Sequence, residues 1–169
     1  MASVLDIAKY VLERQGSMTT LKLQKLVYFA QAWSTAWRNE DLFGETIKAW
    51  AQGPVVPELF LEHRSKKYID KSMVSGDSSR LAAAEKAVVD QVVDFYGHMP
   101  PAYLSALTHF DAPWRDARET GYKSPKISRK SIEDYYRGKS PDEVEADFQR
   151  AEARKIMDQH RVALERLSK

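Results

Sequence analysis

The side chains best suited to acid–base chemistry or metal binding are scattered along this sequence. Its four histidines fall in four different segments: His63, His98, His109 and His160. No pair of them shows the HxxxH or HExxH spacing that places two metal ligands on one helix face. Asp90 and Asp94 lie one helical turn apart, which is more typical of a solvated helix face than of paired catalytic carboxylates. We therefore expect no metal site and no acid–base pair.

Other kinds of catalytic site lack their usual signatures as well. The chain contains no cysteine, which excludes disulfides, a thiolate zinc site and a cysteine nucleophile. It has neither a glycine-rich phosphate loop nor the strand–turn–helix signature of a serine nucleophile elbow. The sequence predicts that the protein is not an enzyme and needs no cofactor.

Composition predicts one cytoplasmic domain with a hydrophobic core. The chain has 169 residues, of which 43% are apolar, and its 26 basic side chains nearly balance its 24 acidic ones. The small net charge therefore gives no general argument for nucleic acid. No apolar stretch approaches the roughly 20 residues needed to span a bilayer, and the N-terminus does not resemble a signal peptide. We expect no membrane partner.

Basic residues are concentrated in one stretch, residues 121–140, together with three tyrosines. It carries six cations and only two acids: Lys123, Lys126, Arg129, Lys130, Arg137 and Lys139 against Glu133 and Asp134. Lys126, Arg129 and Lys130 form the candidate basic face. Such a face could bind nucleic acid or an acidic protein surface, or it could be an ordinary solvated face. No helix-turn-helix or zinc-finger signature favours DNA.

Hydrophobic periodicity predicts the elements that must position these residues. A mainly α fold is expected, with a single compact helical domain, a small two-stranded β element and a long C-terminal helix. Residues 45–50 read as a strand with 126–127 as its partner, and 71–79 as an exposed loop. The helices are predicted at 3–16, 20–37, 59–68, 81–96, 101–110, 111–119, 131–138 and 141–167. Their predicted caps include Ser3 with Asp6, Thr19 or Thr20, Asp111, Ser131 and Ser140.

Two helices carry further expectations. The helix over 20–37 is apolar almost all round and is predicted to be central, with Trp37 in its apolar stripe. Lys22 and Lys25 lie three residues apart on it beside Gln24, so these polar groups form either its wet edge or a bridge to the segment around residue 54. The apolar stripe of the last helix can pack on the core, which we favour, or on a partner.

The segment AWAQGPVVPELF, residues 49–60, places Val55 and Val56 between two prolines. Each proline fixes its own φ and favours extended geometry in the residue before it. Pro57 suits a first helical turn, whereas Val56 is a poor cap. We interpret the segment as a stiff corner rather than as a contact site.

Four motifs together resemble a known family. They are MTTLKLQKLVYFAQAW (18–33), DLFGETIKAWAQGPVVPELF (41–60), LTHFDAPWRDARETG (107–121) and ISRKSIEDYYRG (127–138). Their order and spacing are similar to those of the Panacea domain, the SocA-like antitoxin domain of bacterial, prophage and plasmid toxin–antitoxin pairs. The resemblance implies a Panacea domain over 1–138 and a helical extension over 139–169.

The resemblance implies an antitoxin that binds and neutralises a toxin encoded by the adjacent gene. SocA-like members are associated with delivery of the toxin to an ATP-dependent protease, which would be a second partner. The family implies no catalytic residue and no cofactor. The alternative is a nucleic-acid-binding regulator that represses its own operon, for which the stretch over 121–139 is the argument.

The motif positions that carry the resemblance are the candidate partner-binding residues. They are Lys22, Gln24, Lys25, Trp50, Gly53, Pro54, Val55, Val56, Pro57, His109, Pro113 and Trp114. Gln52 departs from the family, in which this position is often aromatic or basic.

Overall fold

The computed structural model describes residues 1–168, which divide into one unit over 1–138 and a second unit that begins at Lys139. The described residues form eight α-helices, five short strands and two 3-10 turns, which confirms the predicted mainly α fold with a small sheet and a long C-terminal helix. The helices are α1 (Val4–Gln15), α2 (Thr20–Arg38), α3 (Pro57–His63), α4 (Ala83–Tyr96), α5 (Pro101–Phe110), α6 (Ala112–Glu119), α7 (Arg129–Tyr136) and α8 (Pro141–Leu167). The strands are β1 (Met18–Thr19), β2 (Ile47–Trp50), β3 (Gly53–Val55), β4 (Tyr68–Ile69) and β5 (Lys126–Ile127).

The first unit is built around α2, which contacts α1, α4, α5 and α7. The Thr19 side chain caps α2 by accepting a hydrogen bond from Lys22 N at 3.1 Å, as the sequence predicts. From Leu23 to Thr35 every residue of α2 is buried. The prediction of a central helix is therefore confirmed, except that Trp37 is exposed, because it stacks on the outer side of Trp33 near the helix end.

Aromatic side chains fill the space between α2, α4 and α7. The rings of Phe29 and Tyr96 stack with their centroids 4.1 Å apart, and Tyr136 meets Trp33 edge-on at 4.9 Å. Trp33 Nε1 donates a hydrogen bond to the Tyr96 hydroxyl at 2.9 Å. These rings bury a large apolar area, and the hydrogen bond gives a partner to the polar atoms of both Trp33 and Tyr96.

Two small antiparallel sheets flank this core. The predicted pairing of residues 45–50 with 126–127 is confirmed, because β2 pairs with β5 and places Ile47 opposite Ile127. On its other edge β2 pairs with β3, so the sheet has three strands in the order β3-β2-β5. The second sheet, β1 with β4, is not predicted from the sequence.

Three predicted segments differ from the structure. The helix expected over 59–68 ends at His63, and the chain then turns so that Tyr68 and Ile69 form β4. The expected exposed loop over 71–79 is held against α1, since Val74 is buried and Asp77 N donates to Asp6 Oδ1 at 2.7 Å. The cap of α7 is Ser128 rather than Ser131, whose backbone N–H donates to it.

The second unit contains α8, which begins as the sequence predicts. The Ser140 hydroxyl accepts a hydrogen bond from Glu143 N, and Pro141 occupies the first turn. Ile156, Met157 and Leu164 are exposed on this helix. Packing of its apolar stripe, on the core or on a partner, stays a prediction. Among the described residues, none of the helices is long and apolar enough to cross a membrane.

Candidate functional site

The side-chain amide of Gln24 binds the backbone of the corner between β3 and α3. Its Oε1 accepts a hydrogen bond from Val56 N at 3.0 Å, and its Nε2 lies 3.4 Å from Val56 O and 3.0 Å from His63 Nε2. Because this amide nitrogen is a donor, His63 Nε2 accepts and the ring is neutral. Burial lowers the pKa of His63, which favours the same form. Val56 has no side-chain cap of its own, so Gln24 fixes the start of α3.

The Lys25 side chain also binds the backbone of this corner. Its side chain is fully buried, and its Nζ donates to Pro54 O at 3.0 Å. Burial lowers the pKa of this amine to about 7. Of the two alternatives for the polar residues of α2, Gln24 and Lys25 therefore form the bridge, and they are not a wet edge. Lys22 is only partly buried and donates to Gly97 O, away from the corner.

Gly53 is required where the corner passes over Lys25. Its φ of 121° lies in the region that side-chain-bearing residues avoid. A Cβ at this position would lie 2.6 Å from Lys25 Cε and 2.9 Å from Thr108 Oγ1. The close approach of backbone and lysine thus depends on the absence of a side chain.

A buried carboxylate of the third motif joins α2 to α7. Asp111 caps α6 through Trp114 N at 3.2 Å and also accepts hydrogen bonds from the hydroxyls of Tyr28, at 2.8 Å, and Tyr136. Burial raises the pKa of Asp111 to about 6, although these three donors oppose the shift. The sequence predicts the cap but not the two tyrosines, which are distant in the chain.

The indole of Trp114 ties this motif to β2. Its Nε1 donates to Trp50 O at 2.8 Å, and its ring stacks on His109 with a centroid distance of 4.1 Å. Burial lowers the pKa of His109, whose Nε2 has no hydrogen-bond partner among the described residues. His109 is thus a packing residue of this contact.

Most of the motif residues therefore lie together, and we call them the motif cluster. It consists of Gln24, Lys25, Trp50, Gly53, Pro54, Val55, Val56, His109 and Trp114. Pro57 and Pro113 stand beside it in the first turns of α3 and α6. The corner itself, 53–56, is buried. Trp50 is partly exposed, and the turn after it, Ala51 and Gln52, forms an exposed edge.

An aromatic-lined pocket opens at that edge. It has a volume of about 290 Å³, and we call it the aromatic pocket. Trp50 meets Phe60 edge-on at 5.1 Å, and Phe60 meets His63 at 5.4 Å. Its lining residues are Thr20, Leu21, Gln24, Lys25, Trp50, Ala51, Gln52, Val55, Phe60 and His63. The lining contains no carboxylate.

The turn that follows α3 is a feature that the sequence analysis missed. Residues 64–67, which we call the basic turn, reverse the chain with a positive φ of 73° at Ser65. Thr20 N holds the turn by donating to Lys67 O at 3.0 Å, beside the aromatic pocket. Arg64, Lys66 and Lys67 are exposed. The helix predicted through this segment hid these three basic residues, although the sequence HRSKK contains them.

Residues 23–115, more than half of the chain, match the family described as "Antitoxin SocA-like, Panacea domain". The chain belongs to this family. The matched region contains the whole motif cluster, the basic turn and all of the pocket lining except Thr20 and Leu21. No curated protein and no solved structure matches the chain. The family implies a role in a toxin–antitoxin pair and, in general terms, a toxin as partner.

The candidate basic face lies outside the matched Panacea segment. Arg129 is bound on three sides, by Asp41 Oδ1 at 3.0 Å, Asn39 O at 2.9 Å and Glu133 Oε2 at 3.2 Å. Lys130 pairs with Asp134 at 3.2 Å, whereas Lys126 is exposed at β5. Two of the three cations of this face thus have partners within the chain.

The Panacea segment presents no grouping of side chains suited to metal binding. Among the described residues, no three histidine or carboxylate side chains lie close enough together to hold a metal ion. Gln24 and Lys25, the buried polar side chains of the motif cluster, bind backbone atoms of the corner, and Gln24 also binds His63. The arrangement is therefore suited to holding a surface in one shape.

Proposed function

We propose that this protein is an antitoxin that neutralises a toxin, encoded by the adjacent gene, by binding it directly. Membership of the SocA-like antitoxin family is the observation that carries the proposal. The motif cluster supports it, because its buried hydrogen bonds fix an exposed edge that a partner could contact without reordering the chain. A pre-organised backbone lowers the entropic cost of association.

Co-expression with the adjacent gene tests this function. We expect that gene product to arrest growth when induced alone, and growth to be restored when this protein is induced with it. The two proteins should then co-purify as a complex. A gene product that is harmless alone, or that stays toxic beside this protein without co-purifying, would contradict the proposal.

Neutralisation can proceed by covering the toxin or by delivering it to an ATP-dependent protease. The level of toxin in cells lacking each such protease separates the two. Under delivery, the toxin accumulates in one of these strains and toxicity returns. Under covering, the toxin level and neutralisation are the same in all strains.

The alternative function, a nucleic-acid-binding regulator of its own operon, depends on the basic stretch over 121–139. Because Arg129 and Lys130 have acidic partners in the chain, fewer cations are free for phosphates than the sequence suggests. We therefore favour a protein partner. A shift of promoter DNA at low salt that disappears with added salt would instead support the regulator.

A further inference from the structure

We infer that the aromatic pocket and the basic turn together form the docking site for an acidic segment of the partner protein, which inserts one apolar side chain into the pocket. This inference rests on the proposed function, since it names the chemistry by which the toxin would be recognised. It assigns a contact surface to residues that, apart from Val55 in the pocket wall, lie outside the buried corner.

The first argument is the shape and chemistry of the pocket. Trp50 and Phe60 form an aromatic wall at an edge-on distance of 5.1 Å, and Leu21 and Val55 add aliphatic surface. A volume of about 290 Å³ suits a single large apolar side chain. Aromatic anchors seated in such pockets dominate the binding energy of many interfaces.

The second argument is charge. The basic turn carries Arg64, Lys66 and Lys67, all exposed, and none of them has an ion-pair partner among the described residues. Lys67 Nζ lies over the neighbouring Tyr68 ring, 5.8 Å from its centroid, in an exposed cation–π contact that leaves the net positive charge in place. The pocket lining has no acidic residue, whereas hydrogen bonds from a nearby serine and, less strongly, the charge of Lys66 lower the pKa of Asp70. An acidic partner complements the remaining positive charge of the turn.

The third argument is the fixed position of the turn relative to the pocket. Thr20 lines the pocket and also binds the backbone of the turn, through its N–H to Lys67 O at 3.0 Å and its hydroxyl to Lys66 O at 3.4 Å. Pairing of β4 with β1 continues the attachment, with Thr19 opposite Tyr68. One short segment of the partner can therefore contact both the aromatic pocket and the basic turn.

The fourth argument is the buried amine in the pocket wall. Lys25 lines the pocket, and Pro54 O is the one hydrogen-bond acceptor that the described chain offers its Nζ. A neutral amine has two N–H donors and an ammonium has three, so at least one donor of Nζ lacks an acceptor in the described chain. Lys25 Nζ therefore favours a partner segment that brings an acceptor oxygen, rather than another donor, into the pocket.

Short peptides test the site directly in the full-length protein. The probes are Ac-EDFDE-NH2, its anchor-free control Ac-EDGDE-NH2 and its charge-reversed control Ac-KKFKK-NH2, with single-stranded oligothymidine as a nucleic-acid probe. Binding is followed through the NMR signal of the Trp50 indole N–H. We expect the acidic phenylalanine peptide to shift this signal and to bind at least about tenfold more tightly than either control peptide, which corresponds to about 1.4 kcal/mol.

Charge reversal then separates the basic turn from other basic surface. We expect the triple variant Arg64→Glu, Lys66→Glu and Lys67→Glu to lose binding of Ac-EDFDE-NH2 by at least about tenfold. The matched triple Lys123→Glu, Lys126→Glu and Lys130→Glu carries the same charge change and should keep it. Equal loss in both triples, no binding by the wild type, or binding of oligothymidine in place of the acidic peptide would overturn the inference.

The same variants separate this inference from the proposed function. If the wild type and the basic-turn triple neutralise the adjacent gene product equally well, the docking site is wrong and the antitoxin function stands. If the wild type binds the acidic peptide but does not neutralise that gene product, the antitoxin function fails independently. Trp50→Ala, whose thermal melt reports whether it folds, should lose the preference for phenylalanine over glycine in the peptide.

Discussion

The buried motif cluster and the exposed basic turn use polar side chains in opposite ways. Gln24 and Lys25 of the cluster, and Asp111 beside it, are buried, and their polar atoms are bound to backbone atoms, to His63 or to tyrosine hydroxyls. In the turn, Arg64 and Lys66 are exposed and have no ion-pair partner among the described residues. Under the proposed docking site, the family signature supports a contact surface whose charged residues lie beside it.

The first prediction concerns the largest effect, at the buried carboxylate. Asp111→Ala removes the cap of α6 and leaves the hydroxyls of Tyr28 and Tyr136 without their acceptor. We expect the free energy of unfolding to fall by about 3–5 kcal/mol, from the unsatisfied groups and the lost cap. Urea denaturation measures this loss.

Asp111→Asn is the control for that prediction. It keeps an acceptor oxygen for the cap and should lose less stability than Asp111→Ala. A loss below about 1 kcal/mol for Asp111→Ala would show that the carboxylate is dispensable and would break the distinction between the two regions.

The second prediction uses the buried lysine as a pH probe. Burial holds the pKa of Lys25 at about 7 in the folded chain, against 10.5 for an ordinary lysine. The unfolded chain therefore binds more protons between these values, so stability rises with pH across this window. We expect this residue to contribute a rise on the order of 3 kcal/mol between about pH 7 and pH 9.5.

Urea denaturation of Lys25→Met across that pH range provides the test. The variant should lack the rise, whereas Lys126→Met, at an exposed position, should keep it. Burial also raises the pKa of Tyr28 and Tyr136 well above 10, so these residues change the stability at higher pH than this range. An identical pH dependence of stability in the wild type and in Lys25→Met would contradict burial of the Lys25 amine.

The third prediction tests the close approach at the corner. Gly53→Ala places a Cβ 2.6 Å from Lys25 Cε at a φ of 121°. We expect a loss of about 1–3 kcal/mol in the free energy of unfolding, because the backbone is strained and the lysine must move. Gly121→Ala also has a positive φ but meets nothing within 4 Å, and it should lose less.

The fourth prediction is the smallest effect on stability. The free energy of unfolding of the protein with the charge-reversed basic turn should lie within about 0.5 kcal/mol of the wild-type value, because these side chains are exposed and have no ion-pair partner. Reversal of Arg129 alone should cost more, about 1 kcal/mol, because it breaks contacts with Asp41 and Glu133. Thermal melts compare the two, and a destabilised basic turn would show that its cations have a structural role.

Local signals in the sequence account for the parts of the fold that were predicted. The Ser3–Asp6 capping box, the Thr19 and Ser140 caps and the pairing of β2 with β5 follow from short patterns of side-chain oxygens and alternating apolar residues. The boundary that failed at His63 lies where a contact distant in the chain decides the conformation, whereas the one at Ser128 is local, because the first of two serines three residues apart is the cap. Pairing of β4 with β1 overrides the helical pattern after His63.

The candidate site was predicted less completely for the same reason. Resemblance to a family named the motif residues, but it gave no indication that Lys25 is buried or that Tyr28 and Tyr136 share the carboxylate of Asp111. Those contacts join residues many positions apart and depend on packing around α2. The basic turn was hidden because its four residues, 64–67, fall inside the helix predicted over 59–68.

Hydrogen exchange on the complex with the adjacent gene product tests the account most directly. Ala51, Gln52 and the basic turn are exposed, and their amides should exchange quickly in the free protein, except that of Lys66, which donates to His63 O. We predict that they become protected in the complex, while residues 121–130 exchange as before. Protection confined to 121–137 or to α8, with Ala51, Gln52 and the basic turn unchanged, would contradict the account.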